Sequence, residues 1–337
     1  MRRGKISESV LKRSVLKKIK THRDEVVCGA GIGTDCAILS FGEGFQTVLA
    51  TTPVTSPAAQ LGSYAVPMAL NNVVLAGAEP VGIMLTILLP EETEETELQE
   101  LMEGAEAACS EYGVQIVGGH TEVTSVVKEP VMTVTGVGRR DAAVSLKGTG
   151  PGQDVVISKW IGLEGTVRLA RQRRQELCTR YPERMVEEAA AFDRYLSIIP
   201  EAATAMKSGV CGMHDVSRGG IFGALWELAE SAGVGLEIEL KKIPVKQETI
   251  EICEFFGLNP YELLSGGCLI MTAENGEALV TALARENIPA VVAGRTTDGN
   301  DRVLYNEDEK RYLDRPQMDQ IYCVFSAGHE AGFEDTL

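Results

Sequence analysis

The sequence predicts an α+β fold used twice, on three observations. Strand-length apolar runs are interspersed with amphipathic helical stretches, without the strict strand–helix–strand alternation of a doubly wound sheet. The segment Lys147-Gly148-Thr149-Gly150-Pro151-Gly152 punctuates the chain near its middle. The 337 residues, 44% hydrophobic and 24% charged, suit two globular domains of ordinary size. The expected parts are an N-terminal domain over 1–150, a C-terminal domain over 151–325 and a tail over 326–337.

In the first half, Gln46–Thr51 is an expected strand and Pro57–Ala76 a mostly apolar helix. Val81–Leu89, a continuous apolar run between Pro80 and Pro90, has the pattern of a buried strand. Glu91–Tyr112 is a helix with Leu98, Leu101, Met102, Ala105 and Ala108 on one face. Its acids crowd the N-terminal end, where the macrodipole favours them, and are expected to be solvated. Val114–Val117 and Pro130–Val137 continue the sheet. In the second half, strands are expected at Asp154–Ser158, Val210–Met213, Cys268–Thr272 and Ala290–Ala293. Helices are expected at Leu163–Arg171, Glu183–Tyr195, Ile221–Ala232 and Gly276–Glu286.

A formal net charge of −16 argues against a nucleic-acid partner, which clustered Lys and Arg would grip. It leaves room for a small anion bound by backbone N–H groups. The basic first twenty residues, with Leu11, Val15 and Ile19 at every fourth position, predict an amphipathic helix with a solvated basic face. The alternative is that Lys5, in the lead, folds over an anionic ligand. No signal peptide or membrane-length apolar run is expected. Eight scattered cysteines form no CxxC pair or zinc spacing, so reduced thiols and a cytoplasmic location are expected.

Four glycine-rich places could carry chemistry. Gly29-Ala30-Gly31-Ile32-Gly33-Thr34-Asp35 places a carboxylate directly after a turn, suited to a hard cation; a plain turn is the bland alternative. Asn71 and Asn72 put two amides inside an apolar helix, where each needs a partner: ligand, second chain or neighbouring backbone. Gly118-Gly119-His120-Thr121-Glu122 follows an expected strand; its glycines permit close approach, while His120 and Glu122 offer a base and an acid. His214-Asp215-Val216-Ser217-Arg218-Gly219-Gly220 joins a strand to a helix. There Ser217 is an expected cap and the glycines expose N–H groups to an anion; a capped helix without a ligand is the alternative.

In this order, these motifs resemble the aminoimidazole-ribonucleotide synthetase (PurM-like) superfamily, in the synthetase-related branch similar to the hydrogenase maturation factor HypE. The resemblance runs from about Lys5 to Tyr322. It also rests on Thr52-Pro53-Val54-Thr55, Ala76-Gly77-Ala78-Glu79-Pro80, Lys159-Trp160, Gly162-Leu163-Glu164-Gly165 and Asp215-Val216-Ser217-Arg218-Gly219-Gly220. It implies a homodimer whose N-terminal strands pair across subunits into a barrel, with ATP and magnesium in the cleft. Members commonly activate a carbonyl or amide oxygen by phosphorylation. Carried over residue by residue, Asp35 would hold the metal, and His120 and Glu122 would stand near the reacting group. Lys5, Gly31, Gly33, Asn71, Asn72, Gly118, Gly119, Asp215, Ser217, Gly219 and Gly220 would bind nucleotide or phosphate.

This chain departs from the family pattern at four places. Thr34, Thr52 and Asn72 stand where acids are usual, and His120 follows the paired glycines in place of an acid or amide. Magnesium prefers carboxylates, so the neutral substitutions weaken the expected metal site. The sequence ends Glu334-Asp335-Thr336-Leu337, without the terminal cysteine that the maturation factor's carbamoyl chemistry uses. Two expectations stay open: an ATP-dependent enzyme, or a non-catalytic dimeric binding or regulatory protein with a degenerate site.

Overall fold

The computed structural model describes residues 4–5, 10–28, 30, 38–39, 41–42, 44–55, 58–141, 146–315 and 318–325. The chain divides into two compact units, Met1–Ser145 and Leu146–Leu337. Both are mixed helix and sheet, the α+β class the sequence predicts.

The first unit holds β1 (Gly4–Lys5), β2 (Val26–Cys28), β3 (Ile38–Leu39), β4 (Phe45–Thr55), helix α1 (Ala58–Leu75) and β5 (Glu79–Leu89). Helix α2 (Glu95–Tyr112), β6 (Gln115–Val123) and β7 (Val131–Asp141) follow. Five strands form one sheet in the order β1-β6-β5-β7-β4, and β2 pairs with β3 separately. Within the sheet only β5 and β6 are parallel, with α2 as their crossover. Helix α1 packs on β4, β5 and β7 and against α2, burying Leu61, Ala65, Leu70 and Val73. Those helices cover one sheet face only. On the other, Phe45, Thr47, Leu49, Thr51 and Pro53 of β4 lie exposed, as does Thr86 of β5.

Two expectations change here. Helix α2 starts at Glu95, four residues later than its acidic run suggested, because Glu94 forms a capping box with Glu97: the Glu94 N–H donates to Glu97 Oε2 at 2.8 Å. The basic N-terminal segment is a π turn at Leu11–Val15 and a 3-10 turn at Leu16–Lys18, and several of its cations are paired. Arg13 donates to Glu95 at 2.6 Å and Lys18 pairs with Glu103. The Ser14 hydroxyl also donates to Glu95, at 2.8 Å. These contacts hold the Glu95 carboxyl down at about 2, with Arg13 the larger cause. Glu95 of the acidic run and Glu103 further along α2 therefore serve as docking partners for the basic lead, while Glu91, Glu92, Glu94 and Glu97 stay exposed.

The second unit runs β8 (Asp154–Ser158), α3 (Leu163–Gln172), α4 (Arg174–Leu177), α5 (Glu183–Ala190) and α6 (Ile199–Met206), then β9 (Val210–Val216) and α7 (Gly220–Ala232). It continues with β10 (Gly235–Glu239), α8 (Gln247–Phe256), β11 (Cys268–Ala273), α9 (Gly276–Arg285) and β12 (Ala290–Thr297). Strands β13 (Arg302–Asn306) and β14 (Glu309–Tyr312) precede the short helix α10 (Ile321–Phe325). The sheet order is β14-β13-β10-β12-β8-β11-β9. Its core joins Val155 and Ile157 of β8, Ile221 and Leu225 of α7, Ile238 of β10 and Ile270 of β11. A second cluster gathers Leu169, Val186, Ile252, Leu263 and Ile321.

Among the described residues, one ion pair of this unit is buried on both sides. Lys159 Nζ reaches Glu201 Oε1 at 2.6 Å, with side chains 7% and 2% exposed. The same ammonium donates to the carbonyls of Tyr195 at 2.7 Å and Ser197 at 2.6 Å, which uses all three of its protons. Lys159 adopts a left-handed backbone, φ 52°, at the turn out of β8. The pair ties that turn to α6 and to the chain after α5.

Candidate functional site

The first cluster is on β6. Gly118-Gly119-His120-Thr121-Glu122 lies inside this strand, not beyond its end as expected, so the pleat sorts the side chains. His120 faces Thr86 in the β5 register and Glu122 faces Leu88, on the sheet face that the helices leave open. His120 Nε2 and Glu122 Oε2 are 3.3 Å apart, with side chains 47% and 40% exposed. A His and a carboxylate in contact can exchange a proton with a substrate group. Lys5 stands opposite Glu122 on β1.

The two glycines differ in kind. Gly119 has φ +152°, and a Cβ there would lie 1.9 Å from the Leu85 carbonyl oxygen, so β5 itself is what approaches it. A Cβ on Gly118 would meet nothing within 4 Å. Only Gly118 leaves room beside it.

The amides lie on the covered face. Asn72 Nδ2 donates to Thr52 Oγ1 at 2.9 Å and more weakly to the Met68 carbonyl at 3.4 Å. The two neutral residues that replace expected acids therefore satisfy each other. Asn71 is 2% exposed in the same helix. Within one copy, Thr52 and Asn72 lie on one side of the sheet and His120 and Glu122 on the other. Gly31, Gly33 and Asp35 lie outside the described residues. Among the described residues no group of three His, Cys, Asp or Glu could hold a metal ion.

The second cluster is in the C-terminal unit, at the turn from β9 into α7. Asp215 sits within β9, and its Oδ1 is buried with no hydrogen-bond partner among the described residues. Burial raises its carboxyl to about 6 against the lowering effect of the Ser217 side-chain bond and the Val216 backbone bond. Glu164, in the first turn of α3, is buried and raised to about 8, with desolvation the leading cause. It accepts the Gly266 N–H at 3.2 Å. Arg168 and Arg218 oppose the shift of Glu164, and Asp215 adds to it. The site thus holds two carboxyls poised to carry protons near neutral pH, beside two guanidiniums.

At the start of α7 the cap is Gly219, in a left-handed backbone at φ 84°. Ser217 does not cap the helix, contrary to expectation: its side chain bonds Asp215, and no side-chain cap is present. Gly220 has φ 63°, and a Cβ there would lie 2.4 Å from the Tyr261 carbonyl oxygen. The Gly219 N–H is already taken. Asp319, just before α10 and 3% exposed, accepts it on Oδ2 at 2.7 Å. The other carboxylate oxygen accepts Leu264 N–H at 3.2 Å and Ile321 N–H at 2.9 Å. No pattern in the sequence could join position 319 to 219; the contact spans a hundred residues.

Two mixed sheets with these glycine corners define a two-domain α+β class. The sequence matches AIR synthase related protein, N-terminal domain, over residues 33–140 and AIR synthase related protein, C-terminal domain, over 150–306. The chain belongs to this AIR synthase-related family. It is 30% identical to carbamoyl dehydratase HypE of Cupriavidus necator over 265 residues, covering 74% of this chain and 72% of that protein. Among solved structures, hydrogenase maturation protein HypE in complex with ATP superposes with a TM-score of 0.72 at 20% identity, covering 93% of this chain and 96% of that one. Thiamine-monophosphate kinase from Stenotrophomonas maltophilia gives 0.72 at 20% identity, covering 90% and 98%. These likenesses establish the fold. No helix among the described residues is long and apolar enough to cross a membrane.

Proposed function

We infer that this protein binds ATP or another phosphate-bearing small molecule, as a HypE-like, synthetase-related homodimer. The observation that carries the reading is the corner at the start of α7. There the N–H groups of Gly219 and Leu264 converge on one carboxylate, within the electrostatic reach of Arg218. A place built to hold one buried anion is suited to a phosphate. Two proteins with the same fold, one solved with ATP and one named a monophosphate kinase, support the ligand class. In the first unit, the family resemblance gives His120 and Glu122 a place near a reacting group, where the pair would exchange a proton with a substrate oxygen.

The open face of the first sheet supports the dimer. Leu49, 64% exposed, lies in register with Val137, and Thr51 with Thr135 and Met84, on the face that α1 and α2 do not cover. A second copy seated there would bury the His120–Glu122 pair in a cleft. Sedimentation giving a monomer at micromolar concentration would count against it.

The Thr52–Asn72 hydrogen bond favours a second reading, a non-catalytic ligand-binding or regulatory dimer. Two positions expected to carry acids hold a closed neutral pair instead. Thermal shifts with ATP, ADP and pyrophosphate, each with and without magnesium, separate the readings. A ligand at about a hundred times its dissociation constant stabilises by about 2.7 kcal/mol. A large magnesium-dependent shift with turnover of ATP supports the enzyme; a magnesium-independent shift without turnover supports the binding protein. No shift with any of the three ligands refutes both.

A further inference from the structure

The carboxylate at the start of α7 belongs to a strap. Residues 319–325 pack on the second unit and are fastened at both ends. The Gln320 N–H donates to the Glu262 carbonyl at 3.3 Å, and its side chain donates to Glu262 Oε2 at 3.0 Å. Ile321 is buried in the cluster with Leu169, Val186 and Leu263. At the far end Arg173 donates to the Val324 carbonyl at 3.1 Å, and the guanidiniums of Arg168 and Arg173 lie 5.8 and 5.5 Å from the Phe325 ring centre.

Of the three N–H groups that bind Asp319, two belong to the body of the unit, Gly219 and Leu264, and one to the strap, Ile321. If the strap lifts, the body keeps a pair of converging donors from two separate segments. Arg218, which acts on both Asp319 and Glu164, stays beside them. The body therefore retains the donors and charge of an anion site. Burial also works against Asp319: desolvation raises its carboxyl above the ordinary aspartate value despite three N–H donors and Arg218. The internal anion is held at a cost, which makes it replaceable.

We propose that Asp319 is an intramolecular competitor for the phosphate site, so that strap 319–325 must lift before a ligand phosphate can take the Gly219 and Leu264 N–H groups. The proposal rests on the reading of α7's start as a phosphate site. Its reach is wider, since a strap that responds to phosphate reports ligand occupancy on the surface around Arg173 and Phe325. Lifting the strap breaks its hydrogen bonds to Gly219, Leu264, Glu262 and Arg173 and withdraws Ile321 from its cluster, so the ligand must supply that free energy.

The test uses the full chain and inorganic pyrophosphate as the probe, with titration calorimetry and amide hydrogen exchange read together. Asp319→Asn keeps an oxygen acceptor but removes the charge. It is expected to bind pyrophosphate about tenfold more tightly than the parent, with the Gly219 and Leu264 amides protected on binding. Phe325→Ala leaves Asp319 in place and loosens only the far end. It is expected to show a smaller gain, and it serves as the variant of record if Asp319→Asn fails to fold. Equal affinity in parent and variants, with the same two amides protected, overturns the competition and leaves the phosphate reading standing. Faster exchange at those amides in the variants, with no protection by pyrophosphate, overturns both.

Discussion

Replacing Glu201 with Gln should destabilise the second unit severely. The substitution keeps the shape of the side chain and removes the charge opposite Lys159, which is 7% exposed and bonded to two carbonyls besides. Breaking a buried pair by removing one partner typically costs about 3–5 kcal/mol, because the remaining charge stays desolvated. The carbonyls of Tyr195 and Ser197 offset part of this, so about 3 kcal/mol is expected. For a unit of this size that is roughly a 6–12 °C drop in melting temperature. Both tryptophans, Trp160 and Trp226, lie in the second unit, so their fluorescence reports its unfolding selectively. The double variant Lys159→Met, Glu201→Leu should recover most of the loss, since no charge is left buried. A Glu201→Gln protein within about 1 kcal/mol of the parent would refute the reasoning, because the pair would then not be dry enough to matter.

Three further outcomes are expected. Glu164, raised from 4.5 to about 8, binds its proton more tightly in the folded state, so the fold is favoured at low pH and loses stability as pH rises from about 4.5 to about 8. Glu164→Gln should flatten that decline in denaturant melts taken across the range; an unchanged slope would show that the group is not buried in solution. Gly119→Ala should lose more than about 3 kcal/mol, because its Cβ meets the Leu85 carbonyl at 1.9 Å, whereas Gly118→Ala should melt like the parent. Thr52→Asp with Asn72→Asp should enlarge the magnesium-dependent thermal shift with ATP, measured with magnesium in excess, over the small shift expected of the parent. A large shift in the parent would show that other residues supply the ligands.

The fold was legible because its signals are local. The apolar run Val81–Leu89 and the face Leu98–Leu101–Met102–Ala105 of α2 follow from periodicity alone, as do β8, β9, β11, β12, α3, α7 and α9 of the second half, whereas α6, α8 and β10 are not among the expected elements. Strands β13 and β14 escaped notice because Arg302, Tyr305, Glu309 and Arg311 dilute the apolar pattern near the sheet's edge. The glycine corners were also legible, but not which atoms fill them. Whether Gly119 admits a ligand or a neighbouring strand depends on Leu85, and whether Gly219 meets phosphate or Asp319 depends on a segment distant in sequence. Solvation holds for Glu91, Glu92, Glu94 and Glu97, which are exposed, and changes for the same reason at Glu95, which Arg13 and Ser14 reach from a distant segment.

The contact between Gly119 and Leu85 has a consequence for how the parallel pair β5–β6 assembles. A strand can slide along its neighbour by a residue with little loss of backbone hydrogen bonding, yet such a slip turns every side chain over. Here the seat opposite Leu85 admits only a residue without a Cβ. Gly119 works as the notch of a key. Sliding one residue forward would force His120 into that seat, and the bulge at Ile83–Met84 absorbs the local mismatch so that the notch can engage. Proofreading of the alignment is thus steric against that slip, while a slip the other way would place Gly118, which also lacks a Cβ, in the seat. The polar pair beyond it inherits its orientation from a hydrogen atom.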